Sequence, residues 1–214
     1  MKLSIIIPTY QSHDIRPLLS GLAKQSKLPY EVIVVENGSH QKTLSQQLSE
    51  SESDLNIMYI HEPLAGLNRA RNRGCYASEG SQIAIIDDDC MPHVDWVSSL
   101  IDAHLDNPLA GVIGGRVLLD YKAPPPVWFN SEFKRSLAEL DYGEEQKTLG
   151  RWQHLVGANL SFSRDVFNEV GGFQESLGLK GDEEIIRAND ETEFIHKACL
   201  RGLPGAIYEG RAVV

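Results

Sequence analysis

Ile83-Ala84-Ile85-Ile86-Asp87-Asp88-Asp89 sets a short, wholly apolar run directly against three adjacent carboxylates, and Cys90-Met91-Pro92 closes it. An apolar run of this length without polar alternation reads as a strand buried on both faces. Leu3–Ile7, Glu31–Val35 and Asn56–Ile60 read the same way. Between and beyond these runs, Ile15, Leu18, Leu19 and Leu22 recur at helical spacing, as do Leu44 and Leu48, and then Val94, Val97, Leu100, Ile101 and Leu105. Strands alternating with helices are the pattern of βαβ units, so the expected fold class is α/β with a mainly parallel central sheet flanked by helices. Ligands of such sheets bind beyond the carboxyl ends of the strands. Pro8-Thr9-Tyr10, Glu36-Asn37-Gly38-Ser39 and Asp87-Asp88-Asp89 are therefore expected to share one crevice.

The pattern changes at Asp120. Pro124-Pro125-Pro126 fits neither helix nor central strand, because consecutive prolines lack N–H donors and hold φ in the polyproline range. Tyr121 to Trp152 holds six of the 16 aromatic residues. Within it Phe133, Leu137 and Leu140 recur at helical spacing, which favours core packing over sugar stacking. Further on, Leu155–Ser161 reads as a strand, Arg164–Val170 as a helix ended by Gly171-Gly172, and Thr192–Leu200 as a helix ended by Gly202. No repeat and no Gly- or Ser-rich linker divides the 214 residues, so one domain is expected.

Composition narrows the function. With 20 Lys and Arg against 30 Asp and Glu the formal net charge is −10. Affinity for nucleic acid and other anionic surfaces comes largely from cations releasing counterions, so DNA, RNA and anionic membrane surfaces are set aside as partners. The acidity is clustered. Ser81–Asp106 carries six Asp and no Lys or Arg, and Gln174–Glu193 carries seven acidic residues against Lys180 and Arg187. Three widely spaced cysteines, Cys75, Cys90 and Cys199, form no zinc pattern and suit a reducing cytoplasm. The N-terminal apolar run is cut short by Pro8, and no stretch reaches the roughly 20 apolar residues of a membrane span. A membrane is then met only from outside, as a peripheral surface at its inner face.

Three candidate groups carry chemistry. Adjacent carboxylates at a strand end repel one another unless a cation relieves them. Asp87 and Asp89, pointing the same way, suit a hard divalent ion such as Mg²⁺ or Mn²⁺ shared with substrate phosphates. The alternative is an acidic loop capping the helix that follows. Asp190-Glu191-Thr192-Glu193 opens a helix, where the macrodipole alone accounts for acidic residues; facing the crevice, one of them would serve as a general base. Arg69, Arg71 and Arg73 spread over different helix faces, and their targets are either a ligand or the acidic loops. No GxGxxG follows the first strand, and neither GxxxxGK[ST] nor GxSxG occurs. Trp96 is expected to anchor its helix, and His154 and His196 have no partner pattern that would make them ligands.

Taken in order, Ser4–Tyr10, Val34–Ser39, Ala70–Gly74, Asp87–Asp89, Gly157-Ala158-Asn159, Val170–Phe173 and Asp190–Phe194 resemble the family 2 glycosyltransferases of GT-A fold across nearly the whole chain. The resemblance implies a Rossmann-like sheet, a nucleotide-sugar donor, preferably a UDP-sugar, and Mn²⁺ or Mg²⁺ on the diphosphate. It also implies inverting transfer to a saccharide or glycolipid acceptor, as in polysaccharide or cell-envelope assembly. It places Pro8, Thr9 and Tyr10 around the nucleoside, Glu36 and Arg71 at the base, Asp87 with Asp88 near the ribose, and Asp89 with Asp87 at the metal. Glu191, or Asp190 beside it, takes the place of the catalytic base. Residues 1–119 become the donor half, and 120–214 the acceptor and base half. Many relatives carry a metal-site His shortly after a segment like Tyr208–Val214. This sequence ends before it, which implies either a chain cut short or reliance on Asp89 and water. A nucleotidyltransferase and a non-catalytic nucleotide-sugar binder stand as alternatives.

Overall fold

The computed structural model describes residues 1–10, 14–39, 44, 46, 48, 54–150, 153–179 and 189–214. Trp152, Lys180 and Arg187 lie outside them. So do most neighbours of Leu44 and Leu48, which are themselves helical, with Leu44 buried.

The strands are β1 Leu3–Thr9, β2 Glu31–Asn37, β3 Ile57–Glu62, β4 Gln82–Ile86, β5 Val112–Arg116, β6 Lys147–Thr148, β7 Asn159–Ser163 and β8 Ile207–Val213. They form one sheet in the order β3-β2-β1-β4-β7-β5-β8-β6. The helices are α1 Arg16–Ala23, α2 Leu67–Ala77, α3 Trp96–Asp106, α4 Ser131–Ser136, α5 Arg164–Val170 and α6 Asp190–Leu200. The first four strands pair in parallel, β3 on β2, β2 on β1 and β1 on β4, which requires crossovers such as α1 and α2 between them. Beyond β4 the sheet is mixed, since β7 runs antiparallel to both β4 and β5 while β5 and β8 are parallel.

The apolar runs explain the core. Every residue of β1 and β2 is buried, because helices cover both faces. Pro8 lies past the last β1–β4 pair, Ile6 with Ile85, where no ladder bond on that side is lost to the missing N–H. Helix α2 packs so closely on β1 and β2 that a Cβ at Gly74 would run into Ile6 Cγ2. Trp96 anchors α3 as expected, fully buried with its Nε1 donating to Asn159 Oδ1 at 2.9 Å. Helix α5 has the expected bounds, with Ser163 capping Val166 N and Gly171 turning left-handed at φ 82°.

Two expectations are corrected. The strand read at Leu155–Ser161 begins only at Asn159, because pairing with β4 starts at Asn159 opposite Ile86, and residues 157 and 158 turn into it. The helical spacing of Phe133, Leu137 and Leu140 does not hold, since α4 stops at Ser136. Ala138 turns to φ 67° and Leu140 exchanges both backbone hydrogen bonds with Val117, so β-bridging captures the last of the three residues. Strands β5 and β8 were not read from the sequence. Gly114 and Gly115 depress strand propensity in β5, yet a Cβ at Gly114 would meet Leu155 and one at Gly115 would meet Asn159 and the Ala212 carbonyl.

Candidate active site

The strand ends do converge. Pro8, Thr9 and Tyr10 from β1, Asn37 from β2 and Asp87, Asp88 and Asp89 from β4 line a cavity of about 310 Å³, closed on one side by Leu67, Ala70 and Leu179. A second cavity of about 650 Å³ lies across the acidic loop, walled by Cys90, Met91, residues 117–120, Leu137, Ala158 and Val214. Asp87 and Asp89 line both cavities, whereas Asp88 lines only the first. The two outer carboxylates thus form the shared edge between two compartments.

The second acidic group reaches this edge through Arg71. Its Nη1 meets Asp190 Oδ2 at 2.6 Å and its Nη2 lies 3.6 Å from Asp87 Oδ1, with the guanidinium almost wholly buried. Arg71 also lies against the Phe173 ring. Its neighbours separate as the spread of helix faces predicts: Arg69 pairs with Glu175 near the surface, while Arg73 is exposed. Asp190 is therefore committed to a cation. Glu191 is placed differently: its Oε1 accepts from Gly157 N at 2.9 Å, next to Ala158 of the second cavity. A Cβ at Gly157 would stand 2.6 Å from that oxygen and would also overlap Arg71 Nη2, so only glycine admits this arrangement.

Electrostatics follow from burial. The Glu191 carboxyl is pushed up from its ordinary range by desolvation first and by the Asp190 charge next, against the pull of Arg71. Asp87 is likewise raised, by desolvation foremost, with Arg71 opposing and Asp89, Asp88 and Asp190 adding repulsion. Its side chain still keeps about a third of its surface open. Among the described residues Thr9 Oγ1 and Asp87 Oδ1, both buried, have no hydrogen-bond partner, the latter having only Arg71 at 3.6 Å. Such orphaned oxygens are uncommon and fit a place where a ligand completes the coordination. An oxygen-only pair, Asp87 and Asp89, suits a hard divalent cation whose remaining positions go to phosphate oxygens and water. Among the described residues no three His, Cys, Asp or Glu side chains converge; Asp87 and Asp89 are the carboxylates that line both cavities there.

Two base-side residues sit otherwise than the resemblance implied. Glu36 is buried, and its carboxylate accepts the phenolic proton of Tyr59; Asn37 lines the cavity instead. Asn37 also braces the wall, donating to Leu64 O at 2.7 Å and accepting from Gly66 N at 2.6 Å. Arg71 lies with Asp190 and Asp87, outside the lining of the first cavity. Asn72 accepts from Phe173 N and donates to Phe173 O, and Asn68 donates to Gln174 O and Leu177 O. Helix α2 thereby carries the segment leading to Leu179. Asn159 acts as a bolt, donating to the carbonyls of Arg116 and Ala212. Asn37 was expected in the crevice within the Glu36–Ser39 group but was given no role, and the wall at residues 117–120 was not singled out from the sequence. For Asn37, its place in the same strand-end tetrapeptide as Glu36 was the available signal.

Comparison with known proteins gives the family and the fold. The family model "Glycosyl transferase family 2" matches residues 4–171. A glucosyl-dolichyl phosphate glucuronosyltransferase of Haloferax volcanii is 30% identical over 190 residues, covering 86% of this chain. The chain spans 60% of that relative's length. The mannosyltransferase PcManGT of Pyrobaculum calidifontis, solved with GDP-Man and Mn²⁺, superposes with a TM-score of 0.69 at 21% identity, over 99% of this chain and 55% of that one. Residues 1–349 of TarS from S. aureus, solved with UDP-GlcNAc, give 0.68 at 21% identity, over 98% and 58%. At these identities the likeness is one of fold, and the fold is GT-A.

Proposed function

The chain belongs to glycosyl transferase family 2, and from that membership we propose that it transfers a sugar from a nucleotide-diphosphate sugar to an acceptor hydroxyl with inversion at the anomeric carbon. The observation that carries this reading is the shared edge of Asp87 and Asp89 between two cavities, with Glu191 bonded to Gly157 N, one residue before Ala158 of the second. The first cavity takes the nucleotide of the donor, with Pro8, Thr9, Tyr10 and Asn37 around the nucleoside and Asp88 on the ribose side. The second takes the acceptor. In this scheme residues 1–119 supply the donor half, and 120–214 the acceptor wall and the base.

Asp89, with Asp87, would hold Mn²⁺ or Mg²⁺, which supplies positive charge to the leaving diphosphate. The chain's own residues do the rest. Gly157 N–H fixes Glu191, whose raised proton affinity suits it to accept the proton of the acceptor hydroxyl. Arg71 holds Asp190 and Asp87 in register, so that donor edge and base helix keep one geometry. A UDP-sugar is the first donor to try, because TarS was solved with UDP-GlcNAc; GDP-Man is the second, after PcManGT. The name of the Haloferax relative supports a lipid-linked saccharide as acceptor.

The test is thermal shift of the chain with UDP- and GDP-sugars, with and without Mn²⁺, followed by donor hydrolysis. Stabilisation by one sugar nucleotide with metal, and slow hydrolysis lost in Asp89→Asn, are expected. Stabilisation without any turnover would reduce the protein to a binder, and no stabilisation by any nucleotide would remove the donor assignment.

A further inference from the structure

Glu36 stands at the edge of the first cavity without entering it. It is the register partner of Thr9, which lines that cavity, and it precedes Asn37, which lines it too. Register partners on neighbouring strands lie about 4.8 Å apart, a distance that a glutamate side chain can cover. Yet Glu36 is 1% exposed and takes no part in the lining. The reason is Tyr59 on β3, whose hydroxyl donates to Glu36 Oε2 across the β2–β3 pair. Burial first, and the bond to Glu36 next, push the Tyr59 phenol above its ordinary range, so it keeps the proton that it donates.

Strand β3 holds the end of β2 at a second point, since His61 Nε2 lies 2.8 Å from Gly38 O. Gly38 has φ 86°, and a Cβ there would stand 2.9 Å from Tyr10 Cε2. The strand that fixes Glu36 therefore also fixes the backbone against which the Tyr10 ring rests.

The polar side chains that β1 and β2 do present to the cavity are of another kind. Asn37 commits an N–H to Leu64 O and its oxygen to Gly66 N. Thr9 Oγ1 has no hydrogen-bond partner among the described residues. A hydroxyl donates or accepts as it rotates, whereas a carboxylate only accepts. For a nucleobase the difference is decisive, because uracil N3 and guanine N1 carry a hydrogen while cytosine N3 and adenine N1 present a lone pair.

We propose that Tyr59 is a specificity-determining residue: it holds the Glu36 carboxylate away from the nucleobase, so that the Thr9 hydroxyl meets the ring nitrogen and the cavity accepts a base with or without a ring N–H. This rests on the reading of the first cavity as the nucleotide compartment. Removing the phenol oxygen leaves Glu36 buried without that donor, and the N–H of uracil or guanine then supplies one. Cytosine and adenine offer only a lone pair against the carboxylate, which counts against them.

The experiment is calorimetric titration of the full chain with UDP against CDP, and with GDP against ADP, in the presence of Mn²⁺. The wild type is expected to separate the members of each pair by less than about ten-fold. Tyr59→Phe keeps the ring packed beside the core and should raise the preference for UDP over CDP, or for GDP over ADP, by about ten-fold or more. Glu36→Gln still offers an oxygen to Tyr59 and should leave the wild-type preference unchanged; in the double variant the gain should vanish. A preference in Tyr59→Phe equal to that of the wild type overturns the proposal. So does a loss of about ten-fold in UDP or GDP affinity in Glu36→Gln with CDP or ADP binding retained, because Glu36 would then already read the base. Should Tyr59→Phe fail to fold, Glu36→Gln still decides. Binding of none of these nucleotides to the wild type removes the donor assignment itself, so failure of the base-selection proposal and failure of the proposed function are distinguished.

Discussion

Arg71 and Asp190 are 119 residues apart in the chain, yet Arg71 Nη1 lies 2.6 Å from Asp190 Oδ2 in a buried ion pair that ties helix α2 to the first turn of α6. Removing one member of such a pair leaves the other charged and desolvated. Arg71→Met is therefore expected to destabilise the protein by about 3–5 kcal/mol in urea unfolding. Arg71→Met with Asp190→Leu should recover most of that loss; a double variant no better than the single would show that the pair is not what the single disturbed.

Glu191→Gln removes the proposed general base while keeping a partner for Gly157 N–H. Transfer should fall by roughly 10²–10⁴ with the melting temperature shift by donor intact. Wild-type transfer by this variant takes Glu191 out of the mechanism.

Gly157→Ala places a methyl group against Glu191 Oε1 and Arg71. The base has to move by a large fraction of an ångström, and misplacement on that scale costs about 10²-fold in rate. The fall should appear in kcat with donor affinity retained, read by initial rates over a donor series. An unchanged kcat would mean that Glu191 is not held at the reaction centre.

The pH profile should follow the raised Glu191 carboxyl. Its charged form is disfavoured by burial and by Asp190, so the base is lost by protonation above the usual carboxylate range. The acid limb of kcat/KM should lie there. In Asp190→Asn a repelling charge is gone and Arg71 is freed to stabilise Glu191, so the limb should move to lower pH.

His104 predicts a stability effect away from the site. It is buried beside Ser161 Oγ at 3.0 Å, and Ser161 donates to Ile113 O, so the ring N–H at Nε2 donates to the serine. Desolvation lowers its proton affinity, to a pKa of about 4. The unfolded chain takes up this proton near pH 6.5 and the folded one only near 4. The stabilisation is thus complete above the first value and is lost as pH falls toward the second, at about 1.4 kcal/mol per pH unit. His104→Gln should flatten this part of the curve of melting temperature against pH.

The wall of the first cavity was legible because it is local. Runs such as Leu3–Ile7 and Ile83–Ile86 identify buried parallel strands, and parallel strands point their last residues the same way. Thus Pro8-Thr9-Tyr10 and Asp87-Asp88-Asp89 meet in one cavity. Reading β2 only to Val35 left Glu36 as the first loop residue. The strand runs on to Asn37, which puts Glu36 under Tyr59 and Asn37 in the cavity. Strand β5 escaped notice because its glycines contradict strand propensity, and their reason lies in Leu155 and Asn159, some 40 residues away. The wall of the second cavity escaped with it.

Sequence alone therefore determined the α/β class, the family, and the carboxylates at the strand ends, since each is written in residue types at fixed short spacing. Tertiary structure decided which charges are spent and which are free. Arg71 is paired with Asp190 and Asp87, while Glu191 is held by Gly157 N–H and by its neighbour Asp190. Helix α6 opens with two adjacent carboxylates of nearly equal chemistry. Only the packing of α2 against it decides which one is neutralised by a buried cation and which keeps a raised proton affinity.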